Sequence, residues 1–196
     1  MAEALTFDAT SHTYRIGGRL LPSVTTILKR LQDFSGIPAA VLEQARERGE
    51  RLHKAVNLFN RNDLDWDSLD PEIRSLTEAW AQYLSDTGAV VIASEQPVWH
   101  PKFKYAGTPD VVLELGGRII VPDLKATWAV PRTVGLQTAA YAEALWELAG
   151  GRGRKPERSC IHLKDGKYNV VPRNDPADWA VFFSALNLYR WEQLAA

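Results

Sequence analysis

Cysteine is nearly missing from this chain: Cys160 is the only one in 196 residues. That excludes an internal disulfide and any four-cysteine zinc or iron–sulfur site. No hydrophobic run approaches the roughly 20 residues that a membrane span needs. The start, Met1 to Asp8, lacks the basic opening and apolar core of a secretory signal, so a cytoplasmic protein with no membrane partner is expected. An excess of positive charge is absent too. Lysine and arginine total 23 against 24 acidic residues, a formal charge of -1, so no global field draws in nucleic acid. The basic residues cluster instead: Arg46, Arg48, Arg51 and Lys54 on one helix, diluted by Glu43, Glu47 and Glu50; Lys102 and Lys104 at a turn; Arg152, Arg154, Lys155 and Arg158 in a loop. Repeats and low-complexity segments are lacking as well. With 45% hydrophobic residues the chain can bury one good core, which we divide into an N-terminal hairpin and short helix at 1–36 and a main domain at 37–196.

What is present centres on Thr108 to Thr127, two apolar strands joined by Gly116-Gly117, a primed-turn signal. If Leu115 faces Arg118, counting back along both strands sets Asp110 opposite Asp123, with Cβ atoms about 5 Å apart. Two carboxylates so placed repel unless one keeps its proton or a cation lies between them, and a divalent metal is the simplest remedy. Lys125, two residues after Asp123, points to the same face.

Pro109-Asp110 followed by Asp123-Leu124-Lys125 resembles the motif of the PD-(D/E)xK nuclease superfamily. Gln137-Thr138-Ala139-Ala140-Tyr141 on the next helix and Arg48-Gly49-Glu50-Arg51-Leu52-His53 on an early one are similar to its RecB-like and phage-exonuclease branch. The resemblance covers about half the chain, from Gly49 to Leu145. It implies that Asp110, Asp123 and Lys125 are catalytic, and that His53, Asp110, Asp123 and the Leu124 backbone carbonyl hold Mg²⁺ or Mn²⁺, with Glu95 as a further ligand. It also implies that Gln137 and Tyr141 contact DNA or support the acids. Some relatives carry an iron–sulfur cluster, which this chain cannot build.

From the residues alone, several of these positions have a second reading. His53 on a long helix from Pro38 to Arg61 fits a core-flanking histidine as well as a ligand. Gly49, one turn earlier, implies close approach of some group to the helix surface, since glycine inside a helix costs about 1 kcal/mol against alanine. Glu95, on a strand from Ala89 to Trp99, faces Thr108 if His100 to Phe103 form the turn; an ion pair with Lys104 or Lys125 is the alternative. Arg48, Arg51, Lys102 and Lys104 are candidate phosphate contacts or solvated charges, and the loop Gly150 to Pro156 with Arg158 reads the same two ways. His12 is placed on the first strand of the hairpin with Tyr14 and Ile16, in a structural role. Trp128 is read as a core cover, with base stacking as the alternative.

Helices then frame three meandering strands, a helix, a hairpin at Asp165-Gly166 and a last aromatic-rich helix. The order predicts an α/β, or α+β sandwich, fold with a central mixed sheet flanked by helices, and the resemblance implies a restriction-endonuclease-like core. The function expected is metal-dependent hydrolysis of DNA, by an exonuclease acting on linear DNA in phage or prophage recombination, replication or repair, in a bacterial or phage-infected cytoplasm. A recombination or single-strand-annealing partner, or a homo-oligomer, would help to hold DNA that the net charge does not attract. A non-catalytic nucleic-acid-binding module, an endonuclease of the same superfamily and a structural ion-pair ladder are the alternatives.

Overall fold

The computed structural model describes residues 4–127 and 129–194; Trp128 lies outside them. The chain enters through three antiparallel strands, β1 (Leu5–Asp8), β2 (Thr13–Ile16) and β3 (Arg19–Leu21). The sequence predicted one hairpin with His12 on its first strand. Instead His12 lies in the β1–β2 turn with φ 49°, and Gly17 and Gly18 turn β2 into β3. Ser23 caps α1 (Val24–Leu28), its Oγ accepting the Thr26 N–H at 3.0 Å, as an N-cap serine should. Val24, Ile27 and Leu28 join Ala140, Phe182 and Leu186 in one buried cluster, so the N-terminal segment shares its core with the C-terminal helices.

The helices predicted next are α2 (Ala39–Asn60) and α3 (Pro71–Thr87). Asp70 opens α3 by accepting the Glu72 and Ile73 N–H groups, and Gly88, at φ 69°, ends it. Only the second half of α2 packs: Leu52, Ala55 and Val56 are buried, whereas Val41 is half-exposed. The close approach expected at Gly49 is not seen: beyond its own helix backbone, no atom of the described residues comes within 4 Å of where its Cβ would stand.

The run from Ala89 to Trp99, predicted as one strand, is two: β4 (Val90–Ser94) and β5 (Val98–Trp99), separated where Glu95 takes φ 50°. β5 pairs with β6 (Ala106–Gly107) so that Val98 faces Gly107 and Trp99 faces Ala106, which leaves residues 100–105 as the loop. The turn is thus two residues longer than expected, taking in Lys104, at φ 45°, and Tyr105, and it folds around His100. Its ring is buried against Phe103 and Tyr105 and stacked on Trp179 at 6.0 Å, and its Nδ1 accepts the Lys102 and Phe103 N–H groups at 3.2 Å each.

Burial, with the nearby Lys102 charge, holds the His100 pKa down at about 4. An unfolded histidine takes its proton near 6.5, so the unfolded state binds more protons between those values and stability is lost as pH falls through that window. The full effect is roughly 3 kcal/mol. We expect the denaturant midpoint to fall from pH 7 to pH 4 in the wild type and to fall less in His100→Gln; equal slopes would show that His100 is not the group responsible.

β7 (Val111–Leu115) and β8 (Arg118–Lys125) meet through Gly116 and Gly117, both at positive φ, with Leu115 facing Arg118 as predicted. After Leu113 and Ile120 this ladder stops. The pair that would follow, Val111 with Pro122, has no N–H to give from the proline. β8 continues its parallel ladder with β9 (Glu157–Lys164), in which Asp123 faces Cys160. α4 (Thr133–Leu148) links the two, a turn at Asp165 and Gly166 leads to β10 (Lys167–Pro172), and α5 (Ala177–Leu194) ends the fold.

The result is a mixed α/β architecture around a five-stranded sheet of order β10-β9-β8-β7-β4. Ile120 and Leu124 enter the core under α2 and α3, whereas Val121 enters the core under α1, α4 and α5. Strand alternation therefore sends Asp123 and Lys125 toward the α4 side. Among the described residues no helix is long and apolar enough to cross a membrane.

The loop read as a basic phosphate contact is largely engaged within the protein. Arg154 Nη2 lies 2.7 Å from Glu157, Lys155 pairs with Glu143, and Arg158 binds Asp178 Oδ2 at 2.9 Å and the Gly135 and Asp175 carbonyls at 2.8 Å each.

Candidate metal centre

Asp110 leads into β7 from the Pro109 turn and is the residue from which the site is built. Its Oδ2 accepts the Leu124 N–H at 2.7 Å, and its Oδ1 lies 3.4 Å from His53 Nδ1. The backbone donor reaches a side chain because the strand ladder has already ended at Pro122. Glu95 arrives from the other side. Its N–H is bonded to the Asp110 carbonyl at 2.9 Å, and its Oε1 stands 3.6 Å from His53 Nδ1. The expected register, Glu95 opposite Thr108, is therefore corrected by two residues, the consequence of the longer loop. Neither Lys104 nor Lys125 is its recorded partner. Ligand atoms of His53, Glu95 and Asp110 lie within 4.8 Å of one another, a histidine nitrogen and two carboxylate oxygens that suit a hard or borderline divalent cation.

Asp123 stands outside that trio. It is 2% exposed; its Oδ2 forms an ion pair with Lys125 Nζ at 2.8 Å, and its Oδ1 has no hydrogen-bond donor among the described residues. Burial drives its pKa up; the Lys125 charge opposes that rise and the Asp110 charge adds to it. Buried polar atoms are nearly always satisfied, so the undonated Oδ1 of Asp123 is a specific opening for a cation. For Lys125, burial works against the charge, but Asp123 and Asp110 outweigh it and hold the ammonium above the ordinary lysine range. The two acids thus favour the charged form of this lysine. His53 is likewise raised, to about 9, chiefly by Asp110. Its imidazolium places positive charge beside the acids, and a metal bound there would displace its proton.

Gln137 and Tyr141 lie one turn apart on α4 and face this cleft. Tyr141 is buried and receives a hydrogen bond from Gln137; burial and the Asp110 charge hold its hydroxyl in the protonated form. Gly107 is required beneath it, because a Cβ there would stand 2.6 Å from Tyr141 Cε1. The Leu124 carbonyl leaves β8 on the same edge as its N–H and so faces Asp110. Cys160 beside Asp123 is buried, and burial and that acid push its thiol up to about 12, which makes it inert.

The cleft, of about 630 Å³, thus brings together His53, Glu95, Asp110, Lys125, Gln137 and Tyr141. Arg48 and Arg51 do not line it. They reach across to Glu72 at 3.4 Å and Asp70 at 2.6 Å, pinning α2 to the start of α3. Lys102 and Lys104 line a separate groove. Sequence reasoning missed Tyr14, whose hydroxyl is 2.9 Å from Thr108 Oγ1, and Lys54 and Asn57, which line the cleft along the His53 face of α2. Helical spacing of Lys54 and Asn57 beside His53 was the available signal; nothing local pointed from Tyr14 to Thr108, which are 94 residues apart. No protein-family model matches the chain, and no curated protein matches it.

Proposed function

We propose that this chain is a metal-dependent phosphodiesterase acting on DNA, an exonuclease of the PD-(D/E)xK type with a restriction-endonuclease-like core. One observation carries the reading most directly: buried Asp123 pairs through Oδ2 with a cationic Lys125, has no donor to Oδ1, and lies close enough to Asp110 and His53 of the neighbouring trio to feel their charge. A structural ion-pair ladder would satisfy its own carboxylates. The mixed sheet with the acidic hairpin at its middle agrees with such a core.

Asp110, Asp123, His53, Glu95 and the Leu124 carbonyl would hold Mg²⁺ or Mn²⁺. The ion, when bound, supplies positive charge that polarises the scissile phosphate and lowers the pKa of a water. The chain does the rest. Lys125 presents an ammonium that orients the attacking water and balances the charge that builds on the phosphoryl oxygens. Gln137 and the protonated Tyr141 offer donors on the α4 wall that position the strand. The Leu124 N–H fixes the rotation of Asp110, so little reorganisation is left for the reacting state.

The test is cleavage of end-labelled linear duplex DNA beside a covalently closed circle, in Mg²⁺, Mn²⁺ and EDTA. We expect metal-dependent loss of the linear DNA with the circle intact. Cleavage of the circle would make the enzyme an endonuclease. Binding without cleavage in every metal would make the chain a non-catalytic module or one that awaits its recombination partner.

A further inference from the structure

A second concavity, of about 770 Å³, adjoins the metal cleft. His12 lines both, so the two meet at the β1–β2 turn. Four cationic side chains line the second groove: Arg19 from β3, Lys102 and Lys104 from the long turn, and Arg190 from α5. No carboxylate lines it, in a chain whose formal charge is -1. Among the described residues none of the four cations is within ion-pair distance of an acid. Arg190 instead donates to the Phe103 carbonyl, and burial with the like charge of Arg19 lowers its pKa. Lys102 and Lys104 sit over the rings of Phe103 and Trp99 at 5.2 and 4.7 Å. Like charges gathered without counter-charge cost energy unless an anion joins them.

The other lining groups show which anion. Leu20 is 53% exposed and Leu194 87% exposed, with Tyr189 beside them. Cations for a backbone together with apolar and aromatic surface for flat rings are the chemistry of single-stranded nucleic acid, whose bases are free to leave their stack. A duplex keeps its base faces covered, and an acidic peptide has no rings in register with its charges.

We infer that this groove is the path of a single DNA strand, its phosphates on Arg19, Lys102, Lys104 and Arg190, that continues past His12 into the metal cleft. The inference rests on the nuclease reading for the direction of the path, while the charge and lining of the groove are its own support.

Anisotropy titration of a fluorescein-labelled oligothymidylate in EDTA, across a salt series, tests it without relying on cleavage. Arg19→Gln is expected to raise Kd at least about fivefold and to lower the salt slope by about 0.7, and Lys102→Gln with Lys104→Gln, on a different element, by about twice that slope. Circular dichroism melting confirms that each variant is folded. Wild-type affinity and slope in both variants would overturn the path, as would equal binding of a blunt duplex, or displacement of the oligonucleotide by polyglutamate as readily as by unlabelled oligonucleotide. Cleavage of the same oligonucleotide in Mn²⁺ is scored separately. Groove-dependent binding with no cleavage would retire the nuclease reading and leave the strand path standing.

Discussion

Asp123→Asn is expected to abolish metal-dependent cleavage while leaving the fold intact. Asparagine keeps the volume of the side chain, so no cavity opens in a position that is 2% exposed. What it removes is charge. In the native chain that charge is unfavourable by itself, which is why burial raises its pKa, and the Lys125 ammonium 2.8 Å away meets only one oxygen. A carboxyl placed at such a cost is useful when a stronger cation completes it. Loss of an outer partner of a metal ligand typically costs about 10–100-fold, so loss of the acid itself should exceed about 100-fold in rate. A second readout separates metal binding from chemistry. Mn²⁺ at 100 times its Kd should stabilise the wild type by about 2.7 kcal/mol, and Asp123→Asn should lose that gain in a thermal melt. A wild-type rate, or a wild-type Mn²⁺ shift, would remove Asp123 from the centre. No Mn²⁺ shift in the wild type would favour an ion-pair ladder.

Arg158→Ala is expected to produce the largest loss of stability of any single basic residue, with no loss of DNA affinity. Its guanidinium joins three elements: it opens from β9, binds the Gly135 carbonyl of α4, and closes on Asp178 and the Asp175 carbonyl at the start of α5. Gly135 makes room, since a Cβ there would stand 2.7 Å from Asp178 Oδ2. Both charged side chains are largely buried, at 10% and 16% exposure. Removing one partner of such a pair leaves the other uncompensated and costs about 3–5 kcal/mol, which in a chain of this size lowers the melting midpoint by roughly 6–20 °C. Arg158→Lys should recover only part of this, because an ammonium cannot reproduce the planar fork. A normal melt with weakened DNA binding would return Arg158 to the phosphate contacts among which its sequence neighbourhood places it.

That reversal shows where sequence reading succeeded and where it stopped. The Gly116-Gly117 turn set one register correctly as far as Leu113 and Ile120, but the facing of Asp110 and Asp123 was counted past the end of that ladder, where Asp110 meets the Leu124 N–H instead. Asp70 and Gly88 bounded α3 because capping is local chemistry. Glu95 was misplaced by two residues because its register depends on a loop whose length is set by the burial of His100 against Trp179, a contact 79 residues away in sequence. The basic residues were the least legible. Arg48 and Arg51 turned toward the α3 cap, Arg158 turned inward, Lys102 and Lys104 stayed on an open groove, and Lys54 lines the metal cleft. Sequence shows that a cation exists and leaves its partner to tertiary structure. Gly49 is the converse case: the sequence implied a close neighbour, and its Cβ position meets open space among the described residues.

Pro122 makes the hairpin asymmetric, with consequences beyond the strand that carries it. By withholding one backbone donor it lets β7 part from β8 just before the acids, and the next available amide, that of Leu124, is captured by Asp110 Oδ2 at 2.7 Å. One oxygen of the carboxylate is thereby mounted on the main chain, while the other faces His53 at 3.4 Å. A movement of Asp110 must then register at one amide proton. The Leu124 N–H is therefore a built-in gauge of the acid, readable in the backbone of the chain whether or not an ion or a strand is present.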